Sequence, residues 1–271
     1  MLRPMQVAPS ETPALNNYSP EVRQQLFAYV LQLADTSLIL GHRLSEWCGH
    51  GPILEQDLAM ANIALDLLGE TRSLFQYAAE LEGQGRTEDD LAFLRLATEY
   101  RNPLLVEQPN GDFAATIVRQ FLFDTFHYHC LVELHKSPDA QLAAIAEKAV
   151  KEAAYHLKWS SEWMIRLGDG TAESRQRLDK ALATLWRYSG ELTTPTATEQ
   201  ALQAAGIIPD YAALRPAMDA HVAHVFGEAT VPVPQGVFMM TGGKEGRHSE
   251  HLGYILAELQ YMQRTYPGLK W

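Results

Sequence analysis

The stretch from Ile117 to Leu167 constrains the fold most, because it contains two long helical patterns with polar residues among the apolar ones. The first pattern repeats apolar residues at spacings of four and three, with Asp124 among them. The second does the same and includes Glu152 and His156. Such spacing places all members on one face of a helix. Asp124 and His156 are therefore expected to point into a core, where each needs a hydrogen-bonding partner, an opposite charge or a metal.

We expect an all-α protein built on a four-helix bundle. Long helical patterns cover residues 20–47 and 53–82, a third follows a crossover at 83–112, and a fourth runs from a Ser137 cap to Gly168. Two helical hairpins joined by a long crossover are the connectivity of a ferritin-like bundle. Additional, shorter helices are predicted after it.

The sequence predicts a single domain behind a short lead. Residues 1–19 are a mixed polar segment that we expect to be flexible. Residues 20–271 are expected to form one ferritin-like helical domain. Its core bundle would occupy 20–168, and a C-terminal helical extension 169–271, ending in a helix from 249 to about 264.

The composition is that of a globular chain without a nucleic-acid surface. The 271 residues are 46% hydrophobic and 20% charged, which permits a large core. A formal net charge of −11 opposes binding to nucleic acid, which needs a basic field. Because there is neither an apolar run of about 20 residues nor a secretory leader, we expect a cytoplasmic protein that does not enter a membrane. Cys48 and Cys130 are expected to be buried, reduced thiols.

The second helix carries apolar residues at the same alternating spacing, and we expect them to face the core. They are Leu54, Leu58, Ala61, Leu65 and Leu68. Asp66 lies within this run and is expected to be a polar intruder in the bundle.

The four helices preserve the spacing of a di-iron site but only part of its ligand set. Di-iron bundles take a Glu from each of two helices and a Glu-x-x-His pair from each of the other two. The corresponding positions here are Asp35, Asp66, Gly69, Asp124, Ala153 and His156. Gly69 replaces a His, Ala153 replaces a Glu, and the remaining acids are one methylene shorter than Glu. We expect a vestigial site without catalytic residues or metal, since ligand distances must hold within about 0.2 Å.

A buried polar network is the expected use of these residues. In that interpretation Asp35, Asp66 and Asp124 are neutralised by nearby basic groups. The candidates are His127, His156, Arg72 and Arg119. A working di-iron or di-manganese centre with unusual Asp ligands is the alternative.

Two other features suggest binding chemistry. The pairs His221-x-x-His224 and His248-x-x-His251 have a spacing compatible with zinc, although capping and surface histidines also show it. In the glycine-rich turn after Thr241, Lys244 and Arg247 precede a helix that Ser249 is expected to cap. They could contact an anion such as the phosphates of coenzyme A, or the turn could simply pack the last helix.

Several long motifs, spread over about residues 22–271, resemble those of a known family. They are Glu46-Trp-Cys-Gly-His-Gly-Pro52, Asp57-Leu-Ala-Met-Ala-Asn-Ile-Ala-Leu-Asp-Leu-Leu-Gly69, Val106-Glu-Gln-Pro-Asn-Gly111, Lys151-Glu-Ala-Ala-Tyr-His156, Thr241-Gly-Gly-Lys244 and Glu250-His-Leu-Gly253. The sequence resembles the PaaC family, the structural subunits of bacterial ring-1,2-phenylacetyl-CoA epoxidase in phenylacetate degradation.

The resemblance implies a scaffold without a cofactor of its own. Its implied partners are a homologous PaaA-type subunit that carries the di-iron centre, a PaaB-type subunit and a PaaE-type flavin/iron-sulfur reductase. A homodimer of the isolated chain is also possible. We expect a large apolar interface with the PaaA-type subunit, formed by aromatic residues and methionine. The residues expected there are Trp47, Trp159, Trp163, Tyr254, Tyr261, Met262 and Trp271.

Overall fold

A computed structural model of the chain describes residues 18–269, and within this range it contains helices and no β-strand. The bundle and its crossover comprise α1 (Pro20–Ser45), α2 (Leu54–Glu82), α3 (Glu88–Phe93), α4 (Leu104–Glu107), α5 (Phe113–Leu134) and α6 (Ala140–Gly168). The helix α1 pairs with α2 and α5 pairs with α6, while α2 also packs on α6. The predicted all-α, ferritin-like bundle with a long crossover is confirmed. Apart from its last two residues, the predicted N-terminal lead lies outside the described range.

Local capping explains where the long helices begin. Ser19 accepts the backbone N–H of Val22, and Pro20 occupies the first helical position of α1. The predicted Ser137 cap of the fourth helix is wrong, because Asp139 accepts the N–H of Leu142 and α6 starts after it. The Ser137 hydroxyl instead donates to the carbonyl of Ile207, a contact far away in the sequence.

The helix α2 has two apolar faces, and the face predicted to line the core is mostly the outer one. The buried face is formed by Ala59, Met60, Ile63, Ala64, Leu67, Leu74 and Phe75, among others. By contrast, Leu54, Leu58 and Leu65 are exposed to solvent. Of the predicted residues, Ala61 and Leu68 are partly buried. The prediction failed because helical spacing identifies an apolar face without saying what covers it.

Shorter helices of the C-terminal extension cover one side of the bundle. They are α7 (Ala172–Leu185), α8 (Gly190–Thr193), α9 (Ala197–Ala204), α10 (Tyr211–Glu228), α11 (Glu250–Leu259) and α12 (Tyr261–Thr265). The helices α7 and α10 pack on α5, and α9 packs on α1. The single last helix predicted for 249–264 is interrupted at Gln260, whose amide donates to the carbonyl of Arg95 and to the hydroxyl of Tyr100.

The glycine-rich turn between α10 and α11 packs against the crossover. A Cβ on Gly243 would lie 2.4 Å from the carbonyl oxygen of Asn102, and one on Gly246 would lie 2.5 Å from that of Thr98. Glycine is therefore required at both positions for the two backbones to approach. No helix in the described part of the chain is long and apolar enough to cross a membrane.

Candidate functional site

Asp35, at the first of the six di-iron positions, is fully buried and bonded to an arginine. Arg95, which follows α3 in the crossover, forms a two-point ion pair with it: Nη1 lies 3.0 Å from Oδ2, and Nη2 contacts Oδ1. The backbone N–H of Arg101 donates to Oδ2 at 2.9 Å. Burial lowers the pKa of Arg95, but the Asp35 carboxylate outweighs this effect and the pKa is raised. Both oxygens of Asp35 are thus already satisfied by donors of this chain.

Asp66 lies at the edge of the bundle instead of within the core. Its side chain is 35% exposed, and Oδ2 is 3.0 Å from Nε2 of the buried His156. The other ring nitrogen of His156, Nδ1, is buried without a partner. This pair links α2 to α6 and is one of the contacts that the sequence analysis anticipated.

Asp124 is buried on α5 and is held by neutral donors. The amide of Gln120 donates to Oδ1 at 2.7 Å, and the hydroxyl of Ser160 donates to Oδ2 at 2.8 Å. Burial raises the pKa of Asp124 to about 6, although His156 and these hydrogen bonds oppose the rise. With no cation in contact, Asp124 gains a proton more readily than an exposed aspartate.

Glu70 and His127 form a further buried pair that the sequence analysis missed. The Oε1 atom of Glu70 lies 3.1 Å from Nε2 of His127 and accepts from the hydroxyl of Ser37 at 3.0 Å. Burial alone would raise the pKa of Glu70, but His127 holds it below its ordinary value. Burial likewise would lower the pKa of His127, which Glu70 raises. The position of Glu70, three residues after Leu67 on the buried face of α2, is the signal that could have revealed it.

The residues at the six positions do not fit a di-iron centre. Gly69 has no side chain and faces open space, with no heavy atom within 4 Å of a Cβ built there. Ala153 is buried and offers no ligand atom. Asp35 is already bonded to Arg95. Among residues 18–269 no three His, Cys, Asp or Glu side chains are grouped so that they could hold one metal ion.

Most of the expected neutralising groups bind elsewhere. Arg72 is exposed and pairs with Glu88 at 2.8 Å. Arg119 donates to the carbonyl of Gln108 and to the side chain of Asn110, and burial lowers its pKa to about 9. Neither arginine contacts Asp35, Asp66 or Asp124, because each extends toward the crossover.

Lys244 of the glycine-rich turn is buried rather than presented to solvent. Only 6% of the residue is exposed, and its ammonium donates to Glu199 at 2.9 Å and to the carbonyl of Thr194 at 3.0 Å. Arg247 is exposed and contacts Glu245. This geometry does not suit the anion contact expected of Lys244, because its charge is already neutralised inside the fold. Arg247 keeps an accessible guanidinium.

The paired histidines join chain segments. His248 Nδ1 lies 2.8 Å from the buried carboxylate of Glu107, and Nε2 lies 3.0 Å from the carbonyl of Tyr100. His221 Nε2 lies 2.9 Å from the hydroxyl of Ser161. Glu107, Glu191 and Glu199 were not predicted as functional residues, although each is almost fully buried. The acidic residue that ends the apolar run 104–107 is a sequence signal that could have identified Glu107.

Several residues predicted to form an interface pack inside the chain. Trp159 and Trp163 both donate their indole N–H to the side-chain oxygen of Gln56, and the indole of Trp47 donates to Thr116. The exposed members of the predicted set are Tyr254, Tyr261 and Met262. Trp271 lies outside the described residues.

The two cysteines differ in their exposure. Cys130 is buried, whereas Cys48 is exposed in the turn after α1, which contradicts the prediction that it would be buried. Both thiols are free.

Comparison with known proteins identifies the family of this bundle. The model of the family described as phenylacetic acid catabolic protein, PaaA_PaaC, matches residues 5–271. A protein of Escherichia coli (strain K12) that is named as one of the subunits of 1,2-phenylacetyl-CoA epoxidase is 52% identical over 247 residues, which cover 91% of this chain and 99% of that protein. The family match confirms the resemblance carried by the motifs. The chain therefore belongs to the PaaA/PaaC family of phenylacetic acid catabolic proteins.

Proposed function

We propose that this chain is a non-catalytic structural subunit of a phenylacetyl-CoA epoxidase. In this role it binds and stabilises a homologous PaaA-type subunit, which carries the di-iron centre and performs the oxidation. PaaB-type and PaaE-type components complete the enzyme, which we place in the cytoplasm. The name of the Escherichia coli relative supports membership of such a complex.

The ion pair between Arg95 and Asp35 is the observation that most favours a structural role. The guanidinium of Arg95 binds both oxygens of Asp35, the carboxylate that a di-iron protein would offer to its metal at this position. Of the other five positions, Gly69 and Ala153 offer no ligand atom, Asp66 and His156 are bonded to each other, and Asp124 is bonded to Gln120 and Ser160. A bundle whose buried aspartates are already bonded to its own side chains keeps the shape of a di-iron protein without offering those carboxylates to a metal.

Co-purification and metal analysis test this proposal. We expect the tagged chain to retain the PaaA-type subunit through gel filtration and the complex to contain iron in proportion to that subunit. The chain purified alone from iron-supplemented cells is the control and should contain no stoichiometric metal. About two metal ions per chain in that control, with reactivity toward oxygen, would establish instead the alternative of a self-sufficient di-iron or di-manganese enzyme. Absence of any complex with the PaaA-type subunit would remove the scaffold role.

A further inference from the structure

The segment between α4 and α5 contains the chemically labile dipeptide Asn110-Gly111. The backbone nitrogen of the residue after an asparagine can attack the side-chain amide, and glycine permits this most readily because it has no Cβ to shield that nitrogen. Gly111 is exposed and has a left-handed φ of 59°. Its N–H donates no hydrogen bond to any described residue. The nucleophile of such a reaction is therefore unengaged and accessible to water.

The side-chain oxygen of Asn110 is bound by a buried guanidinium. Nη2 of Arg119 donates to Oδ1 of Asn110 at 2.6 Å. Attack at Cγ would turn this oxygen into an oxyanion, and a positively charged donor already directed at it stabilises the oxyanion more than the neutral amide. Arg119 is thus placed to promote loss of the Asn110 amide.

The amide nitrogen of Asn110 is bound by a carboxylate. Nδ2 donates to Oε2 of Glu46 at 2.8 Å and to the carbonyl of Arg43 at 2.7 Å. The other oxygen of Glu46 accepts from Nη1 of Arg43 at 2.8 Å, so the carboxylate is held in place. A group that exchanges protons beside the departing nitrogen can deliver the proton with which it leaves as ammonia.

Arg119 has no acidic partner among the described residues. It is fully buried and donates to the carbonyl of Gln108 and to Asn110, while its Nε has no partner within the described chain. Burial, and to a smaller extent the charge of Arg43, lowers the pKa of Arg119 to about 9. A buried guanidinium without a carboxylate is unfavourable. A carboxylate formed at position 110 would lie against this cation.

We propose that Asn110 is a self-modification site, at which Gly111 displaces the side-chain amide and water then leaves an aspartate paired with Arg119. The nitrogen of Gly111 forms a bond to Cγ, the Cγ–Nδ2 bond breaks, and the proton lost by Gly111 leaves with Nδ2 as ammonia. Water then adds to Cγ of the cyclic imide and breaks the new bond, and the nitrogen of Gly111 regains a proton. One water is consumed and one ammonia released, without oxidation or reduction.

The same guanidinium favours one of two products. Water can open the imide at Cγ, which gives aspartate, or at the main-chain carbonyl of residue 110, which gives isoaspartate. Because Arg119 donates to the oxygen on Cγ, it polarises that carbonyl and not the other. We expect aspartate to be the main product in the folded chain.

Peptide mapping by mass spectrometry tests the reaction in the purified full-length chain during incubation at pH 8. We expect Asn110 to be converted at least tenfold faster than Asn62 and Asn102, which serve as controls in the same digest. Asn102 precedes Pro103, which has no N–H, and the residue after Asn62 lies inside α2, where its N–H is part of the helix.

Substitution of the guanidinium tests its part in the reaction. Arg119→Met should slow conversion of Asn110 at least fivefold and shift the product toward isoaspartate. Arg119→Lys keeps a positive charge and should restore part of the rate. Circular dichroism of each variant before incubation establishes that the fold is retained. A purely structural role of Arg119 would not change the ratio of the two products.

Asn110→Asp tests the product without the reaction. We expect this substitution to raise Tm by about 3 °C, because a pair with a buried cation outweighs the lost hydrogen bond to Glu46, whose side chain is 41% exposed. In the Arg119→Met background the same substitution should lower Tm, because the new carboxylate then faces Glu46 without a cation of its own.

Three results would overturn the inference. Conversion of Asn110 no faster than that of Asn62 and Asn102 would show that the site does not react. An unchanged rate and product ratio in Arg119→Met and Arg119→Lys would show that the guanidinium takes no part. A lower Tm for Asn110→Asp in the otherwise native chain would show that the aspartate is not the missing partner of Arg119.

Discussion

Arg95 and Asp35 meet inside the bundle although 60 residues separate them in the chain. The pair joins the crossover to the middle of α1, and the guanidinium also lies 4.3 Å from the centre of the Tyr100 ring. The hydrogen bond from the N–H of Arg101 to the same carboxylate adds a second tie between these segments. The crossover is thereby fixed to the bundle at the carboxylate of the first predicted di-iron position.

Arg95→Met should lower the free energy of unfolding by about 3–5 kcal/mol, because it leaves the Asp35 charge buried without its partner. Urea denaturation monitored by circular dichroism measures the change. The double variant Asp35→Leu, Arg95→Met removes both charges and should recover most of the loss. A double variant as unstable as the single one would show that the pair contributes more than mutual neutralisation.

Asp124→Asn should stabilise the protein at pH 8 by up to about 3 kcal/mol. Burial raises the pKa of Asp124 from 3.8 to about 6, so the folded state binds its proton more tightly than the unfolded state does. Stability of the wild type therefore falls as pH rises from about 4 to about 6, and the asparagine variant avoids this loss. Denaturation curves at pH 3.5 and pH 8 should show the difference shrinking at the lower pH. An equal difference at both values would exclude the titration of Asp124 as its cause.

Glu70→Gln should lower the pKa of His127, because the Glu70 carboxylate raises it in the native protein. The raised pKa means that His127 contributes stability at low pH, which is lost as pH rises through the folded-state pKa. The pKa of Glu70 is lowered in the folded state, so its carboxylate contributes stability at pH values above its ordinary pKa. This stability is lost as the pH falls through the folded-state pKa. NMR titration of the histidine rings measures the change, and Glu228→Gln, beside His224 on α10, is the control. An unchanged His127 titration in Glu70→Gln would contradict the ion pair.

Lys244→Met should destabilise the chain by about 3–5 kcal/mol, since it leaves Glu199 buried without its cation. Arg247→Glu, at an exposed position of the same turn, should change stability by less than about 0.5 kcal/mol. If Arg247 contacts the coenzyme A phosphates, that variant raises the KM of the assembled epoxidase for its thioester substrate. A stable Lys244→Met variant with a raised KM would return Lys244 to the anion-binding role.

The four long helices could be predicted from the sequence because their signals are local. Apolar spacing located α1 and α2 within two residues of their ends. The same spacing misassigned Leu58 and Leu65, since a period of 3.6 describes a face and carries no information about its neighbour. The cap of α6 was missed because Ile207, 70 residues away, engages Ser137.

The buried acids were easier to predict than their partners. Asp124 and His156 stand out against apolar neighbours, and the structure buries both. Arg95 could not be matched to Asp35 from sequence, because the match depends on the path of the crossover. The Glu70–His127 pair was missed for a related reason: His127 was considered only as a partner for the three aspartates, and Glu70 was not among the acids expected in the core.

Two buried glutamates of the crossover and the extension receive their donors late in protein synthesis. Glu107 accepts the N–H of Ser249 at 2.6 Å, and Glu191 accepts that of Gly242 at 2.7 Å, so their partners leave the ribosome about 140 and 50 residues later. Before then the four bundle helices are already translated, but Glu107 of the crossover and Glu191 of the extension lack these donors. Both glutamates consequently reach their native hydrogen bonding only after the glycine-rich turn has emerged, and a nascent chain stopped before residue 242 would carry both carboxylates without these donors.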